Sequence, residues 1–171
     1  MKTTKIFLIL LLITFQSCCP FLLDCEDNDD DVIRFSKYKP VAIDRVTFES
    51  SVKLLPPVSI HISGKIYVKD NLLFINEVHK GFHIYDNTNP ESPIPLQFLE
   101  APGSTDLAIR DNMLYINQAT DLIALEYNAT NKEISLTKRI INTFPELLAP
   151  DGSYPYNVPE NSVVVAWKLI N

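Results

Sequence analysis

The sequence predicts an all-β fold whose antiparallel sheets are built from two copies of one structural unit. Runs rich in β-branched and aromatic residues recur along the chain, and short polar segments with Asp, Asn and Pro separate them. One of these runs, together with the turn at its centre, recurs 41 residues later. Beyond the N-terminal apolar run, no segment of the sequence has the 3.6-residue period of an amphipathic helix.

The N-terminus predicts export from the cytoplasm. Lys2 and Lys5 precede a ten-residue apolar run at residues 6–15, an arrangement typical of a secretory signal. The run is shorter than the roughly 20 apolar residues that a helix needs to span a bilayer. A buried core helix is the alternative, but the run lies at the extreme terminus and breakers follow it at once. We assign residues 1–17 to a lipoprotein signal peptide.

The residues that follow the signal predict a lipid anchor. Gln16-Ser17-Cys18-Cys19 resembles a lipobox, in which a small residue precedes the cysteine that is acylated. Cys18 follows the small Ser17 and is the expected acceptor, with Cys19 as the alternative. A secreted protein with Cys18 or Cys19 bridged to Cys25 is the other interpretation. We expect an outer-membrane lipoprotein that faces either the periplasm or the cell surface.

An acidic segment separates the anchor from the domain. Residues 24–31 contain six acidic side chains in eight, a composition that cannot bury itself. We interpret residues 18–40 as a solvated tether. The run also resembles the export tags of surface lipoproteins, which favours the outside of the cell. Asp27, Asp29 and Asp31 alternate as in a calcium loop, but the glycine and the distant glutamate of an EF-hand are missing.

The first half of the domain, which we place at residues 41–171, contains a predicted hairpin. Residues 41–48 are interpreted as a lead-in strand, and residues 52–57 as an extended segment that a proline ends. In residues 64–76, two strand-like runs flank Asp70-Asn71, and these two residues tolerate the positive φ of a tight turn. Residues 81–86 form the next strand, and a polar turn with Pro90 and Pro93 ends it.

This unit recurs in the second half. Residues 68–76 (VKDNLLFIN) match residues 109–117 (IRDNMLYIN) at all nine positions by identity or similarity. Residues 82–86 match 122–126, one residue closer. A period of about 40 to 45 residues is typical of four-stranded propeller blades. We therefore expect Asp70-Asn71 and Asp111-Asn112 in equivalent turns.

The C-terminal part supplies further strands. Residues 134–141 and 163–170 are predicted strands, and residues 144–159, with four prolines, are predicted to form a long irregular loop. Because two blades cannot close a ring, we expect an incomplete propeller or sandwich-like packing, with the terminal strands on the open side. The remaining sheet edges are candidates for self-association through strand pairing.

The repeats resemble the LVIVD repeats of β-propeller-like bacterial surface lipoproteins. The residues that carry the resemblance are 64–68 (GKIYV), 73–76 (LFIN), 80–86 (KGFHIYD), Asn89-Pro90 and 121–125 (DLIAL). The resemblance covers about residues 50–140. It implies a propeller-like fold and brings no known enzymatic activity or ligand. The chain departs from the family in having two repeats, and the tail motif degrades to LEYN at residues 125–128.

Composition excludes several classes of function. Removal of Lys2 and Lys5 with the signal lowers the formal net charge from −6 to −8, which argues against nucleic acid as a partner. All three cysteines lie within the first 25 residues, so the domain has no thiolate zinc site and no cysteine nucleophile. With four glycines and no phosphate-binding loop, we expect no cofactor. His61 is isolated, and the spacing of His79 and His83 has no meaning for a metal site in strand context.

Two classes of function remain. The first is a binding module for a protein or glycan partner, with no catalytic residues; the ligand is not specified by the sequence. The alternative is a hydrolase of an extracellular polymer that uses carboxylates among Glu77, Asp86, Asp106 and Asp121, which requires two carboxyl groups about 5 to 9.5 Å apart in one cleft. We expect the binding module and no enzyme. Nine aromatic residues are candidates for a binding face, although most should lie in the core: Tyr67, Phe74, Phe82, Tyr85, Tyr115, Tyr127, Tyr154, Tyr156 and Trp167.

Overall fold

The computed structural model of the protein describes residues 36–170, of which 54% lie in strands and 4% in a helix. Among residues 36–170, every paired strand is antiparallel. The all-β prediction is therefore confirmed. The elements are β1 (Tyr38–Asp44), α1 (Arg45–Ser50), β2 (Lys53–Leu55), β3 (Ser63–Lys69), β4 (Leu72–Glu77), β5 (Gly81–Asp86), β6 (Ile94–Glu100), β7 (Ser104–Arg110), β8 (Met113–Gln118), β9 (Asp121–Asn128), β10 (Glu133–Ile140) and β11 (Ser162–Leu169).

These strands form three sheets. Sheet I has the order β2-β6-β5-β4-β3, and sheet II has the order β10-β9-β8-β7. In each of them four consecutive strands form a meander, β3 to β6 in sheet I and β7 to β10 in sheet II. Sheet III consists of β1 and β11 alone. Short polar turns join the strands of each meander, as expected for sequential antiparallel pairing.

One hydrophobic core joins sheets I and II. Alternate residues of β4 and β5 point into it from sheet I, and alternate residues of β8 and β9 from sheet II. Full burial of a Leu, Ile or Phe side chain contributes about 1.5–3 kcal/mol, so this core is the main source of stability. Its buried members are Phe74, Phe82, Ile84, Leu99, Leu107, Leu114, Ile116, Ile123, Leu125 and Tyr127.

The two predicted hairpin turns are equivalent. Asp70 has a φ of 52° and Asp111 a φ of 53°, the left-handed region that Asp tolerates better than most residues. The Asn71 carbonyl accepts a hydrogen bond from the Asn87 amide at 2.7 Å, and the Asn112 carbonyl accepts one from the Tyr127 amide at 2.9 Å. The prediction of equivalent turns is confirmed, and the repeat in the sequence is also a repeat in the structure.

The predicted lead-in strand at residues 41–48 is partly wrong, because its second half is helix α1. Strand β1 ends at Asp44, whose carboxylate accepts a hydrogen bond from the Thr47 amide at 3.0 Å and caps the helix. With six residues, α1 is too short to show a helical period in the sequence. Helix α1 buries Phe48 against sheet III, in a small cluster with Ala119, Val163 and Val165.

The C-terminal predictions are confirmed within one residue at their ends. Strands β10 and β11 lie where strands were predicted, and an irregular segment joins them. Strand β11 pairs with β1 rather than with sheet I or II. The irregular segment packs on sheet III, since its Leu147 carbonyl accepts a hydrogen bond from the Trp167 ring at 3.0 Å and its Tyr156 hydroxyl donates one to the Tyr38 carbonyl at 3.1 Å.

The N-terminal predictions lie outside the described residues. These are the signal peptide at residues 1–17, the acylated Cys18 with its alternative Cys19, and the acidic run at residues 24–31. Strand β1 begins at Tyr38, within the segment 18–40 that was interpreted as a tether. Between residues 36 and 170, no helix is long and apolar enough to cross a membrane.

Candidate binding groove

A groove opens between sheets I and II at the end where the β3–β4 and β7–β8 hairpins turn. Its volume is about 690 Å³, within the range of about 300–1,000 Å³ that is typical of ligand pockets. Both equivalent turns contribute to its wall. The lining residues are Lys69, Asp70, Asn71, Leu72, Phe74, Asp86, Thr88, Leu96, Ile109, Asp111, Asn112, Leu114, Tyr127, Asn128, Ala129, Thr130 and Lys132.

Residues of the hydrophobic core form the floor of the groove. The rings of Phe74 and Tyr127 meet edge to face, with centroids 6.3 Å apart and an interplanar angle of 79°. The Tyr127 hydroxyl lies 3.4 Å from the side-chain oxygen of Gln97, to which it donates a long hydrogen bond. Burial raises the pKa of Tyr127, so the phenol stays neutral at physiological pH. The floor is therefore apolar, with one neutral hydroxyl.

The rim of the groove is polar and carries both signs of charge. Lys69 forms an ion pair with Asp70, and the side chain of Asp111 is 92% exposed. The Asp86 carboxylate accepts a hydrogen bond from the Thr88 amide at 2.8 Å, and its hydrogen bonds with Thr88 lower the pKa of Asp86. Amide and hydroxyl groups lie between the charges. Such a rim offers hydrogen-bond donors and acceptors around an apolar floor. Because it carries both positive and negative side chains, its electrostatic potential is not of one sign.

The four carboxylates that the sequence suggested for hydrolysis lie in four different settings. Asp86 is on the groove rim, whereas Glu77 is buried on the face of sheet I that points away from the core. Asp106 bonds to β3, and Asp121 is buried at the far end of sheet II. Only Asp86 of these four lines the groove, and each of the others has its own set of partners.

Glu77 is held by a dense set of donors. Its two carboxylate oxygens accept hydrogen bonds from the backbone amides of His61 and Ile62, both at 2.9 Å. The His83 ring contacts one oxygen at 3.0 Å, and the Lys80 ammonium lies 3.6 Å from the other. Burial alone raises the pKa of Glu77, but these hydrogen bonds and the lysine charge outweigh it and hold the pKa at about 2. Glu77 is thus an ionised structural group that fixes the segment before β3.

Asp121 joins sheet II to helix α1. Its side chain is fully buried and accepts hydrogen bonds from both terminal nitrogens of Arg45, at 3.1 and 2.5 Å, and from Arg139 at 2.9 Å. Both guanidinium groups lie over the ring of Phe48, at 5.4 and 5.2 Å from its centroid. Burial raises the pKa of Asp121, but the hydrogen bonds from the two arginines and the Asn142 amide lower it by more. The pKa is therefore below its usual value, and the carboxylate stays ionised.

Asp106 holds the neighbouring edges of sheets I and II together. It forms an ion pair with Lys65 and accepts a hydrogen bond from the Tyr67 hydroxyl at 2.5 Å. Burial and this hydrogen bond raise the pKa of Tyr67 to about 12. The hydrogen bond from the Lys65 ammonium, followed by that from Tyr67, lowers the pKa of Asp106. The carboxylate is therefore used to join β3 to β7.

The three histidines do not come together around one point. The His61 ring contacts the Ser59 carbonyl at 2.9 Å, His83 contacts Glu77, and His79 is half-buried in a turn with a φ of 59°. Burial lowers the pKa of His79. Across residues 36–170, no group of three or more His, Cys, Asp or Glu residues has a geometry that could hold a metal ion.

Fewer aromatic candidates lie in the core than the sequence predicted, since five of the nine are outside it: Tyr85, Tyr115, Tyr154, Tyr156 and Trp167. Phe74, Phe82 and Tyr127 are buried in the core, and Tyr67 packs against it. Tyr154 is 74% exposed and lies in the irregular segment. Two of the nine aromatics, Phe74 and Tyr127, line the groove.

Sequence reasoning missed most of the groove. Leu96 and Lys132 carried no signal, because each is a single residue whose place in the groove depends on how the two sheets pack. The available signal was the repeated Asp-Asn pair, since both copies of this turn line the wall. No family model, curated protein or solved structure matches the chain.

Proposed function

We propose that the chain is a membrane-anchored lipoprotein of the cell envelope that binds a hydroxyl-rich ligand, such as a glycan, between sheets I and II. The observation that carries the proposal is the groove of about 690 Å³ with an apolar floor and a rim of carboxylate, amide, hydroxyl and ammonium groups. A sugar ring has an apolar face and polar edges, which matches this arrangement. The mixed charges of the rim favour a neutral ligand over a strongly charged one.

We propose binding rather than catalysis, and the settings of the carboxylates support it. Glu77, Asp106 and Asp121 are each engaged by amides, lysine, tyrosine or arginine in contacts that hold the fold together. A glycoside hydrolase needs two carboxyl groups that face one bond from two sides. Three of the four candidates are instead used in joining elements.

The repeated unit also supports a proposal about the fold. We propose that sheets I and II are two blade-like repeats of an incomplete propeller, related to the LVIVD repeats. The equal order of the two meanders and the equivalent Asp70-Asn71 and Asp111-Asn112 turns support this interpretation.

The groove is tested by binding measurements on an array of envelope glycans. The double variant Asp70→Asn/Asp111→Asn removes two rim charges and keeps residues that tolerate a positive φ. We expect it to weaken binding at least tenfold. The matched control Asp151→Asn/Glu160→Gln removes two charges outside the groove and should bind as the wild type does. Equal binding by both double variants, or binding to peptides only, would contradict the glycan proposal.

The anchor is tested by metabolic labelling with a fatty acid. Cys18→Ala should abolish labelling and release the protein from the membrane fraction, because stable anchoring requires the acyl chains. Labelling that persists in Cys18→Ala and is lost in Cys19→Ala would move the acceptor by one residue. Labelling that neither change affects would refute the lipoprotein proposal. Protease treatment of intact cells then distinguishes the surface from the periplasm.

A further inference from the structure

Sheets I and II pack through faces that are not equivalent in the repeat. The core face of sheet II corresponds to the face of sheet I that points away from the core. In sheet II, the core face carries Leu107, Ile109, Leu114, Ile116, Ile123 and Leu125. The repeat alignment gives their counterparts in sheet I as Ile66, Val68, Leu73, Ile75, His83 and Tyr85. All six counterparts lie on the face of sheet I that points away from the core, as the strand pairing shows. We call this the outer face of sheet I.

The outer face of sheet I is apolar and partly open. Ile66 and Val68 are each 63% exposed, whereas their counterparts Leu107 and Ile109 pack in the core. The end of this face near Glu77 is covered by the segment before β3, whose amides bond to that carboxylate. Exposed apolar residues that cluster on one sheet face are typical of an interaction surface.

The complement of this face exists on the same chain. The core face of sheet I, which packs on sheet II, carries Tyr67, Phe74, Asn76, Phe82 and Ile84. The counterparts of these residues are Ala108, Tyr115, Asn117, Leu122 and Ala124, which form the outer face of sheet II. Tyr115 is 36% exposed, against 1% for its counterpart Phe74. Each end of the two-sheet stack therefore presents the counterpart of a face that is paired inside it.

We propose that copies of this chain associate head to tail, with the outer face of sheet II of one copy packed on the outer face of sheet I of the next. The contact continues the packing between sheets I and II across the boundary between two chains. The contact uses Ile66, Val68 and Leu73 on one face and Tyr115 and Ala124 on the other. Lys138, which pairs with Ala124, lies beside the apolar residues of the sheet II face. Such a contact is heterologous, so it extends into a chain of copies or closes into a ring.

This association differs from strand pairing at sheet edges, because it uses side chains of the sheet faces. It is also independent of the ligand proposed for the groove, so either proposal can fail alone.

The contact is tested in the full chain, in the membranes of the cells that produce it, by a photo-crosslinking amino acid at Ala108. This exposed position lies on the outer face of sheet II. We expect an adduct of twice the monomer mass whose crosslinked peptide comes from residues 63–86 of a second copy. An adduct with another protein only, a crosslink to residues 1–35 of the same chain, or no adduct would overturn the proposal.

Two variants test the direction of the contact. Val68→Asp alters one face and Tyr115→Lys alters the other, and each should lower the adduct at least tenfold, because a charge is then placed against apolar side chains. The matched control Val46→Asp, at a residue of α1 that is 78% exposed, should leave the adduct unchanged. Retention of the adduct in either face variant would overturn the proposal.

Mixing the two variants excludes loss of folding as the cause. A Val68→Asp copy that carries the crosslinker keeps its sheet II face intact, and a tagged Tyr115→Lys copy keeps its sheet I face intact. Co-expression should restore a crosslink between the two, at close to the wild-type yield per available pair. Failure of the mixture to crosslink, or self-association of Tyr115→Lys alone, would overturn the head-to-tail arrangement.

Discussion

Replacement of Glu77 by glutamine should destabilise the fold by roughly 3 kcal/mol at neutral pH. The pKa of Glu77 is about 2 in the folded chain, against 4.5 for an unperturbed glutamate. Each unit of pKa difference between the folded and unfolded chain corresponds to about 1.36 kcal/mol. Because the side chain is buried, solvent screening does not reduce this value much. Glutamine also turns a donor towards one of the amides of His61 and Ile62, which leaves that amide without an acceptor.

The pH dependence of this effect has a definite sign. The folded pKa of Glu77 lies below the unfolded pKa, so the contribution is complete above about pH 5 and is lost as the pH falls through about 2. At pH 3, about 1.4 kcal/mol of it remains. The difference in stability between wild type and Glu77→Gln should therefore shrink by about half between pH 7 and pH 3.

Urea denaturation of both proteins at pH 7 and pH 3 measures this difference, provided that the slope with denaturant is unchanged. Glu91→Gln is the matched control, since Glu91 is exposed in the turn before β6, and its stability should stay within about 0.5 kcal/mol of wild type. A loss of less than about 1 kcal/mol at pH 7, or a loss that does not change with pH, would refute the assignment of Glu77 as a buried, ionised anchor.

Two further variants test the packing. Asp121→Asn should lower the free energy of unfolding by about 3–5 kcal/mol in denaturation experiments, because it leaves two partly buried arginines without their carboxylate. The control Asp111→Asn, at an exposed carboxylate, should lower it by less than about 0.5 kcal/mol. Similar losses in both variants would contradict the role of Asp121 as the partner of the two arginines. Gly81→Ala should cost at least about 3 kcal/mol or prevent folding, since its Cβ would lie 2.0 Å from the Leu99 carbonyl oxygen. Gly152→Ala, with a φ of +82° and open space around its Cβ, should cost only about 1 kcal/mol; a smaller loss for Gly81→Ala than for this control would show that β5 and β6 can separate cheaply.

The hairpins were predictable because their information is local. Asp70-Asn71 and Asp111-Asn112 combine turn chemistry with flanking β-branched residues, and the repeat supports each assignment with a second copy. Helix α1 was not predicted, because six residues show no period and only the cap at Asp44 marks its start. Its sequence, with Val46 and Thr47, has weak helix propensity, so tertiary packing of Phe48 decides the conformation.

The polar contacts were less predictable than the strands. Asp121 was one of four candidate carboxylates, but Arg45 lies 76 positions before it and Arg139 lies 18 positions after it. Nothing in a single sequence links residues at such separations. Likewise, Glu77 was singled out for chemistry, whereas the amides that occupy it belong to a segment without a recognisable pattern. The packing of the sheets determines which donors contact each carboxylate, and therefore its role.

The way in which sheets I and II stack links the groove to the proposed association. The turns at Asp70 and Asp111 lie at the same strand end of sheets I and II, where both line the groove. Because the two sheets do not pack through equivalent faces, the counterpart of each paired face lies on an outer face, with Val68 on that of sheet I and Tyr115 on that of sheet II. A symmetric face-to-face pair of sheets would instead have used both copies of one face and left two identical faces outside, a geometry that closes as a two-fold dimer. Packing through non-equivalent faces predicts contacts that are neither self-complementary nor two-fold, and this is the property that the mixture of Val68→Asp and Tyr115→Lys measures.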